Sequence, residues 1–154
     1  MLGYDIKWAS FNVIEVMALA SYEEKRIGYL AAIQSFHEET EVLMLTTNLF
    51  RKDLMSRDVM EVSLALEGLN ELMTRDLGLD LIEDILRVSK HEFGFIRKKA
   101  IFVLYKLLKK SNEVASRVIP ILKERLGDDD NGNFIESLLF CFYNTFIKVS
   151  IHFQ

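Results

Sequence analysis

The chain has 154 residues, half of them apolar and 27% charged, with 11 Phe, one Pro and a formal charge of −4. That length and composition supply one domain with a sizeable core, and few breakers among many Leu, Lys and Glu favour an all-helical chain. The acidic balance argues against a dedicated nucleic-acid binder, and the lone Cys141 excludes an internal disulfide, making a reducing compartment the default.

Eight helices are predicted in chain order. The first covers about 8–18, with Trp8, Phe11, Ile14 (or Glu15) and Ala18 at helical spacing and Asp5 or Ser10 as its cap. The second covers about 22–36. Ser21 is its expected N-cap, Glu24 the capping-box partner, and Ile27, Leu30, Ala31 and Gln34 trace one face. Gly28 costs roughly 1 kcal/mol against Ala in a helix interior, so a close helix crossing is expected there. The third helix covers about 41–54, capped by Thr40, with Leu43, Leu45, Thr46, Leu49 and Phe50 inward. The fourth covers about 59–73. The fifth, about 75–89, is capped by Thr74 and buries Leu77, Leu81, Ile82, Ile85 and Leu86. The sixth, about 95–110, buries Ile96, Ala100, Val103, Leu104, Leu107 and Leu108 and ends in Lys106, Lys109 and Lys110, which complement the helix dipole. Asn112 caps the seventh, to about 126, which Pro120 should kink. An acidic loop follows, and then an eighth, almost wholly apolar segment at 134–147.

Short connections between amphipathic helices give antiparallel neighbours. Gly28, Ala65 and Ala100 occupy equivalent places in successive units, at spacings of 37 and 35 residues. A helical period near 36 predicts two-helix units that stack because none buries its apolar face alone. The expected fold is a right-handed α-solenoid of HEAT/armadillo-type helix pairs over 1–154, with 131–154 as a divergent C-terminal segment. Such a fold is usually a surface for other chains, so a scaffold is expected before an enzyme.

No reactive constellation competes with that reading. His37-Glu38-Glu39-Thr40-Glu41 has Glu41 where a zinc-binding helix needs its second histidine. The Asp128–Gly132 loop places Gly127 and Leu138 where a calcium loop needs acidic ligands. Cys141 lies between Phe140 and Phe142, which reads as core. Neither a metal nor a cofactor nor an enzymatic activity is expected. Met1–Asp5 has no basic stretch leading into an apolar run, and no apolar stretch is long enough to span a bilayer, so a soluble cytosolic protein is the default. Basic residues cluster at Lys25-Arg26, Arg51-Lys52 and Arg97-Lys98-Lys99. A solvated edge paired with Asp and Glu is the plainer reading. The functional one is a stripe of Lys25, Arg26, Arg97, Lys98 and Lys99 that repeats align for an acidic partner or anionic lipid headgroups.

Several runs resemble a known family. Met1–Ile6 with Trp8–Met17, the Lys25-Arg26-Ile27-Gly28-Tyr29-Leu30 run, Thr46-Thr47-Asn48 followed by Arg51-Lys52-Asp53-Leu54, and Ile96–Ala100 with Tyr105-Lys106 are similar to the adaptins, the large chains of adaptor-protein coat complexes. Trp8–Met17 and Gln34–Glu38 look most like the delta type, from the third adaptor complex, more than the epsilon or gamma types. The resemblance covers about 1–126 and fades beyond Asp130. It implies a scaffolding trunk segment of a heterotetramer with beta-type large, mu-type medium and sigma-type small chains. It further implies recruitment by an Arf-type GTPase, peripheral attachment to Golgi or endosomal membranes, and sorting of cargo toward lysosome-like compartments. A generic HEAT-repeat interaction scaffold is the alternative.

Overall fold

A computed structural model describes residues 7–36 and 41–125, and every regular element among them is helical. The α-helices are α1 (Ser10–Met17), α2 (Tyr22–Ser35), α3 (Thr47–Leu54), α4 (Val59–Leu72), α5 (Arg75–Val88), α6 (Gly94–Lys110) and α7 (Ala115–Arg125). The residues group into two compact units, Met1–Ala115 and Ser116–Gln154.

Local chemistry fixes several helix starts. Thr74 caps α5 as expected, its hydroxyl accepting from Leu77 N at 3.2 Å. Asp58 caps α4, accepting from Met60 N at 2.8 Å. The expected Ser21–Glu24 capping box does not form, since Ser21 precedes α2 without a side-chain cap bond. The third helix also differs from expectation. Residues Glu41–Thr46 wind as a 3-10 helix, and the α-helix begins only at Thr47. Thr46 Oγ1 donates to Leu43 O at 2.6 Å, a contact to the third residue back that suits the tighter winding. The changed pitch turns Leu45 out to solvent while Leu43, Thr46 and Phe50 stay buried.

In the first unit α1 packs on α2, α3 on α4 and α5 on α6. Neighbouring pairs meet through α2–α4, α3–α5 and α4–α6 contacts. One layer is therefore α2, α4 and α6 side by side, and the other contains α3 and α5. This is the stacking of helix pairs that makes an α-solenoid. Tyr29, Phe50, Leu66, Leu69, Ile85 and Leu104 are among the fully buried side chains between the layers. Gly28 sits at a close crossing: a Cβ there would lie 2.5 Å from Met17 N and 2.8 Å from Val16 C, both backbone atoms of α1.

Hydrophobic spacing locates the inward faces of α4, α5 and α6 but not those of α1 and α2. In α1 the buried residues are Ser10, Val13 and Met17, while Phe11, like Trp8 before the helix and Ala18 after it, faces outward. In α2 the buried residues are Lys25, Gly28, Tyr29 and Ala32, while Ile27 is 64% exposed and Leu30 and Gln34 are also exposed. The face that was expected to be inward is the outward one. The cause is a satisfied lysine, described below, that makes the inward face of α2 look polar.

In the second unit α7 runs through Pro120 and buries Val118 and Leu122, four residues apart. The expected eighth helix, the 131–154 segment, Cys141, the Asp128–Gly132 loop and His37–Thr40 lie outside the described residues.

Candidate functional site

Lys25 sits in the second turn of α2 and is 2% exposed. Its ammonium donates to Asp53 Oδ1 of α3 and to Glu61 Oε1 of α4, both at 2.7 Å. Tyr29, one turn further along α2, donates its hydroxyl to the other Asp53 oxygen at 2.7 Å. Ser56 donates to Glu61 Oε2 at 2.5 Å and accepts from Asp58 N at 3.0 Å. Asp53 thus accepts on both oxygens, as does Glu61. Buried charges persist only when paired and hydrogen-bonded in this way.

Electrostatics follow from that geometry. Burial pushes the Lys25 ammonium toward the neutral form, but the hydrogen bonds and charges of Asp53 and Glu61 outweigh it and raise its pKa above the ordinary lysine value. Hydrogen bonds from Lys25 and then Ser56 hold Glu61 below the usual carboxylate range. Burial, then the Asp53 charge, push the Tyr29 phenol well up, so it remains a donor. The pocket around the phenol is shaped by Phe50, whose ring meets Tyr29 edge-on at 5.6 Å, and by Gly68, where a Cβ would fall 2.6 Å from the Tyr29 ring.

The sequence-predicted stripe is therefore not continuous. Lys25 does not belong to it, because two carboxylates from α3 and α4 draw its ammonium into the interior. Arg26 is exposed. Arg97 is half-buried and ties down the preceding turn, Nη1 donating to His91 O at 3.0 Å and Glu92 O at 2.8 Å. Lys99 bonds Ser63 Oγ at 2.6 Å and pairs with Glu67 of α4. Lys98 is half-buried between them. Arg97, Lys98 and Lys99 lie together at the start of α6, and Arg26 lies at the start of α2. The helix between, α4, brings Asp58 and Glu61 to the equivalent edge instead.

Spacing alone missed Asp53, Glu61, Tyr29 and Ser56. One signal was available: Lys25 and Glu61 stand 36 residues apart, one repeat. Lys99 and Ser63, and Lys106 and Asn70, repeat the same 36-residue tie between α6 and α4. In a stacked fold, opposite charges one period apart are lateral neighbours. Among the described residues there is no cluster of metal-ligating side chains, and no helix is long and apolar enough to cross a membrane. The cluster offers no exposed nucleophile or proton-transfer group. What it can do is fasten three helices from two repeats.

Comparison with known proteins agrees with this architecture. The family described as the adaptin N-terminal region matches residues 1–145. The AP-3 complex subunit delta-1 of Bos taurus is 51% identical over 132 residues, 86% of this chain and 11% of that protein. The AP-3 complex subunit delta of Schizosaccharomyces pombe is 49% identical over 130 residues, 84% of this chain and 16% of that protein. This chain thus spans a small fraction of these relatives. Among structures, a chain of a homology model of the full-length AP-3 complex in an intermediate open conformation superposes with a TM-score of 0.74 at 38% identity, covering 84% of this chain and 23% of that one. The helix-pair stack, the buried glycine crossing and the extent of these matches lead to one conclusion: the chain belongs to the adaptin family, in its N-terminal region.

Proposed function

We propose that this chain works as a trunk segment of a large subunit in a heterotetrameric adaptor coat, of the AP-3 delta type. Its role is structural: it offers a stacked helical surface to a beta-type large, a mu-type medium and a sigma-type small chain, and no bond is made or broken. The observation that carries the reading is the identity to AP-3 delta subunits, 51% over 86% of the chain, together with a matching helix-pair stack. On this reading the protein is cytoplasmic and peripheral on Golgi or endosomal membranes, sorts cargo toward lysosome-like compartments, and meets an Arf-type GTPase. Its exposed Arg26, with the half-buried Arg97, Lys98 and Lys99, is the part of the trunk that faces an acidic partner or anionic lipid headgroups.

The test is purification of the tagged full-length gene product from its own cells. Recovery of a second large chain, a medium chain and a small chain in equal amounts is the expected result. A different partner set, or none, overturns the reading and leaves a generic helical-repeat scaffold. For the basic residues, charge reversal of Arg97, Lys98 and Lys99 together should release the complex from membranes. Undiminished recruitment removes that assignment.

A further inference from the structure

The buried ion cluster reaches toward the surface at Ser56. This residue lies in the turn between α3 and α4, outside both helices, and is half-buried between the exposed Met55 and Arg57. Its hydroxyl serves two neighbours: it donates to Glu61 Oε2 at 2.5 Å and accepts from Asp58 N at 3.0 Å. With its other oxygen Glu61 accepts from the Lys25 ammonium at 2.7 Å. One carboxylate therefore stands between a turn hydroxyl and the cation that fastens α2 to α3 and α4. Side-chain exposure rises along that line, from 3% at Lys25 to 19% at Glu61.

Two cations flank the turn with no anion to meet. Lys52, in the last turn of α3, and Arg57, next to Ser56, are both exposed, and among the described residues neither side chain makes an ion pair. After the hydrogen bonds of Lys25 and Ser56, the charges of Lys25 and Lys52 also favour the ionised Glu61, which puts Lys52 within electrostatic reach of the same carboxylate. A neutral hydroxyl offers these cations little. A phosphoryl group on it carries about −1.5 to −2 charge near neutral pH and has acceptor oxygens where the hydroxyl had a donor. It takes away the Ser56 donor from Glu61, repels Glu61 and Asp58, and gives Lys52 and Arg57 a charge-assisted partner.

We propose that Ser56 is a phosphorylation site, and that phosphate there loosens the junction between the first two of the helix pairs α1–α2, α3–α4 and α5–α6. A protein kinase transfers the γ-phosphoryl group of a nucleoside triphosphate to Ser56 Oγ. The Oγ–phosphorus bond forms, the bond from the γ-phosphorus to its bridging oxygen breaks, the nucleoside diphosphate leaves, and the hydroxyl proton passes to the base of the kinase. Arg51 and Lys52 before the serine and Arg57 after it suit a kinase with an acidic cleft. In the phosphorylated chain Lys25 keeps Asp53, while Glu61 is driven from the position in which α4 meets α2.

The test has two arms. The tagged full-length gene product is purified from its own cells with phosphatase inhibitors, and peptides containing Ser56 are examined by mass spectrometry. Phosphate on Ser56 is the expected result, and full coverage of those peptides without it overturns the assignment. In the second arm the chain is made with phosphoserine incorporated at position 56 and compared with the parent by amide hydrogen exchange. Exchange in α2 and in the first turn of α4 should quicken by about tenfold or more, with α5 and α6 little changed. Ser56→Ala removes the donor without adding charge and should quicken it by clearly less. Equal exchange in the phosphoserine and alanine chains overturns the charge switch, and parental exchange in the phosphoserine chain overturns any effect on the junction. Phosphatase treatment should restore the parental pattern; a chain that stays altered once dephosphorylated refutes a reversible switch. None of these readouts depends on which coat chains co-purify.

Discussion

Lys25→Met tests the buried cluster most directly. The substitution keeps an unbranched chain of similar length and removes the ammonium that two carboxylates share. Asp53 is left with one donor, Tyr29, and Glu61 with one, Ser56. The cluster goes from one cation and two anions to two anions, in a site where the Lys25 and Asp53 side chains are each 3% exposed. Removing one partner of a buried pair costs about 3–5 kcal/mol. Against a domain stability of about 5–15 kcal/mol, that is a large share. At about 2–4 °C per kcal/mol for a chain of this size, the melting temperature should fall by roughly 6–20 °C. Urea unfolding followed by circular dichroism at 222 nm should show the midpoint falling with the slope unchanged. Replacing the cluster as a whole, with Lys25→Met, Tyr29→Phe, Asp53→Leu and Glu61→Gln together, should recover much of the loss, because no uncompensated charge then remains. A Lys25→Met chain within about 0.5 kcal/mol of the parent, the range of an ordinary surface change, would refute the reasoning.

Gly28→Ala should destabilise by about 1–3 kcal/mol despite the better helix propensity of Ala, because the new methyl meets the backbone of α1 rather than a movable side chain; a urea midpoint at or above the parent's contradicts the close crossing. For pH, Glu61 has a lowered folded pKa, so its contribution is present above the unfolded value near 4.3 and is lost as pH falls through the folded one. Lys25 has a raised pKa, so its contribution is complete below about 10.4 and fades as pH rises through the folded value. Stability from this cluster should therefore be flat between those limits, and Glu61→Gln should shrink the fall on the acid side in a series of urea melts. Thr74→Ala removes the hydroxyl that caps Leu77 N and should cost about 1 kcal/mol, read as the same midpoint shift.

The stack itself was legible because its signals are redundant. Gly28, Ala65 and Ala100 mark the period, Val62, Ala65, Leu66 and Leu69 mark one face of α4, and the helix limits follow from Thr74 and the short turns. What stayed hidden depends on contacts between residues distant in sequence. Hydrophobic spacing ranks Ile27 and Leu30 above Lys25, and would place them inside. It has no access to Asp53, 28 residues away, or to Glu61, 36 away, which together make a buried lysine tolerable. The same holds for α1 and the turn before it, where Trp8 and Phe11 outrank Ser10 by transfer energy yet face outward. The 3-10 winding of Glu41–Thr46 was lost for a more local reason, since a Thr hydroxyl bonded to the carbonyl three residues back changes the pitch without changing the apolar pattern.

The buried charges also set which packing of the repeats is allowed. Apolar faces of repeated helix pairs resemble one another, so dispersion and area alone discriminate poorly between registers. Sliding α2 along α4 by one turn would bring Lys25 level with Ala65 in place of Glu61, burying an ammonium without the second carboxylate and leaving Glu61 without its cation. It would also move Tyr29 off the space that Gly68 leaves for its ring. Both penalties act against the slipped register and neither acts against the observed one. The second junction is tied more loosely. Lys99 and Lys106 reach α4 from side chains that are each 34% exposed, so solvent screens those pairs and their separate contributions are small. The first junction is thus fixed by a sealed ion cluster, and the second by partly exposed ties: those of Lys99 and Lys106 to α4, and those of Arg51 in α3 to Asp84 and to Asp80 O in α5. An error in register at the first junction would displace the α1–α2 turn relative to the α3–α4 and α5–α6 turns that follow.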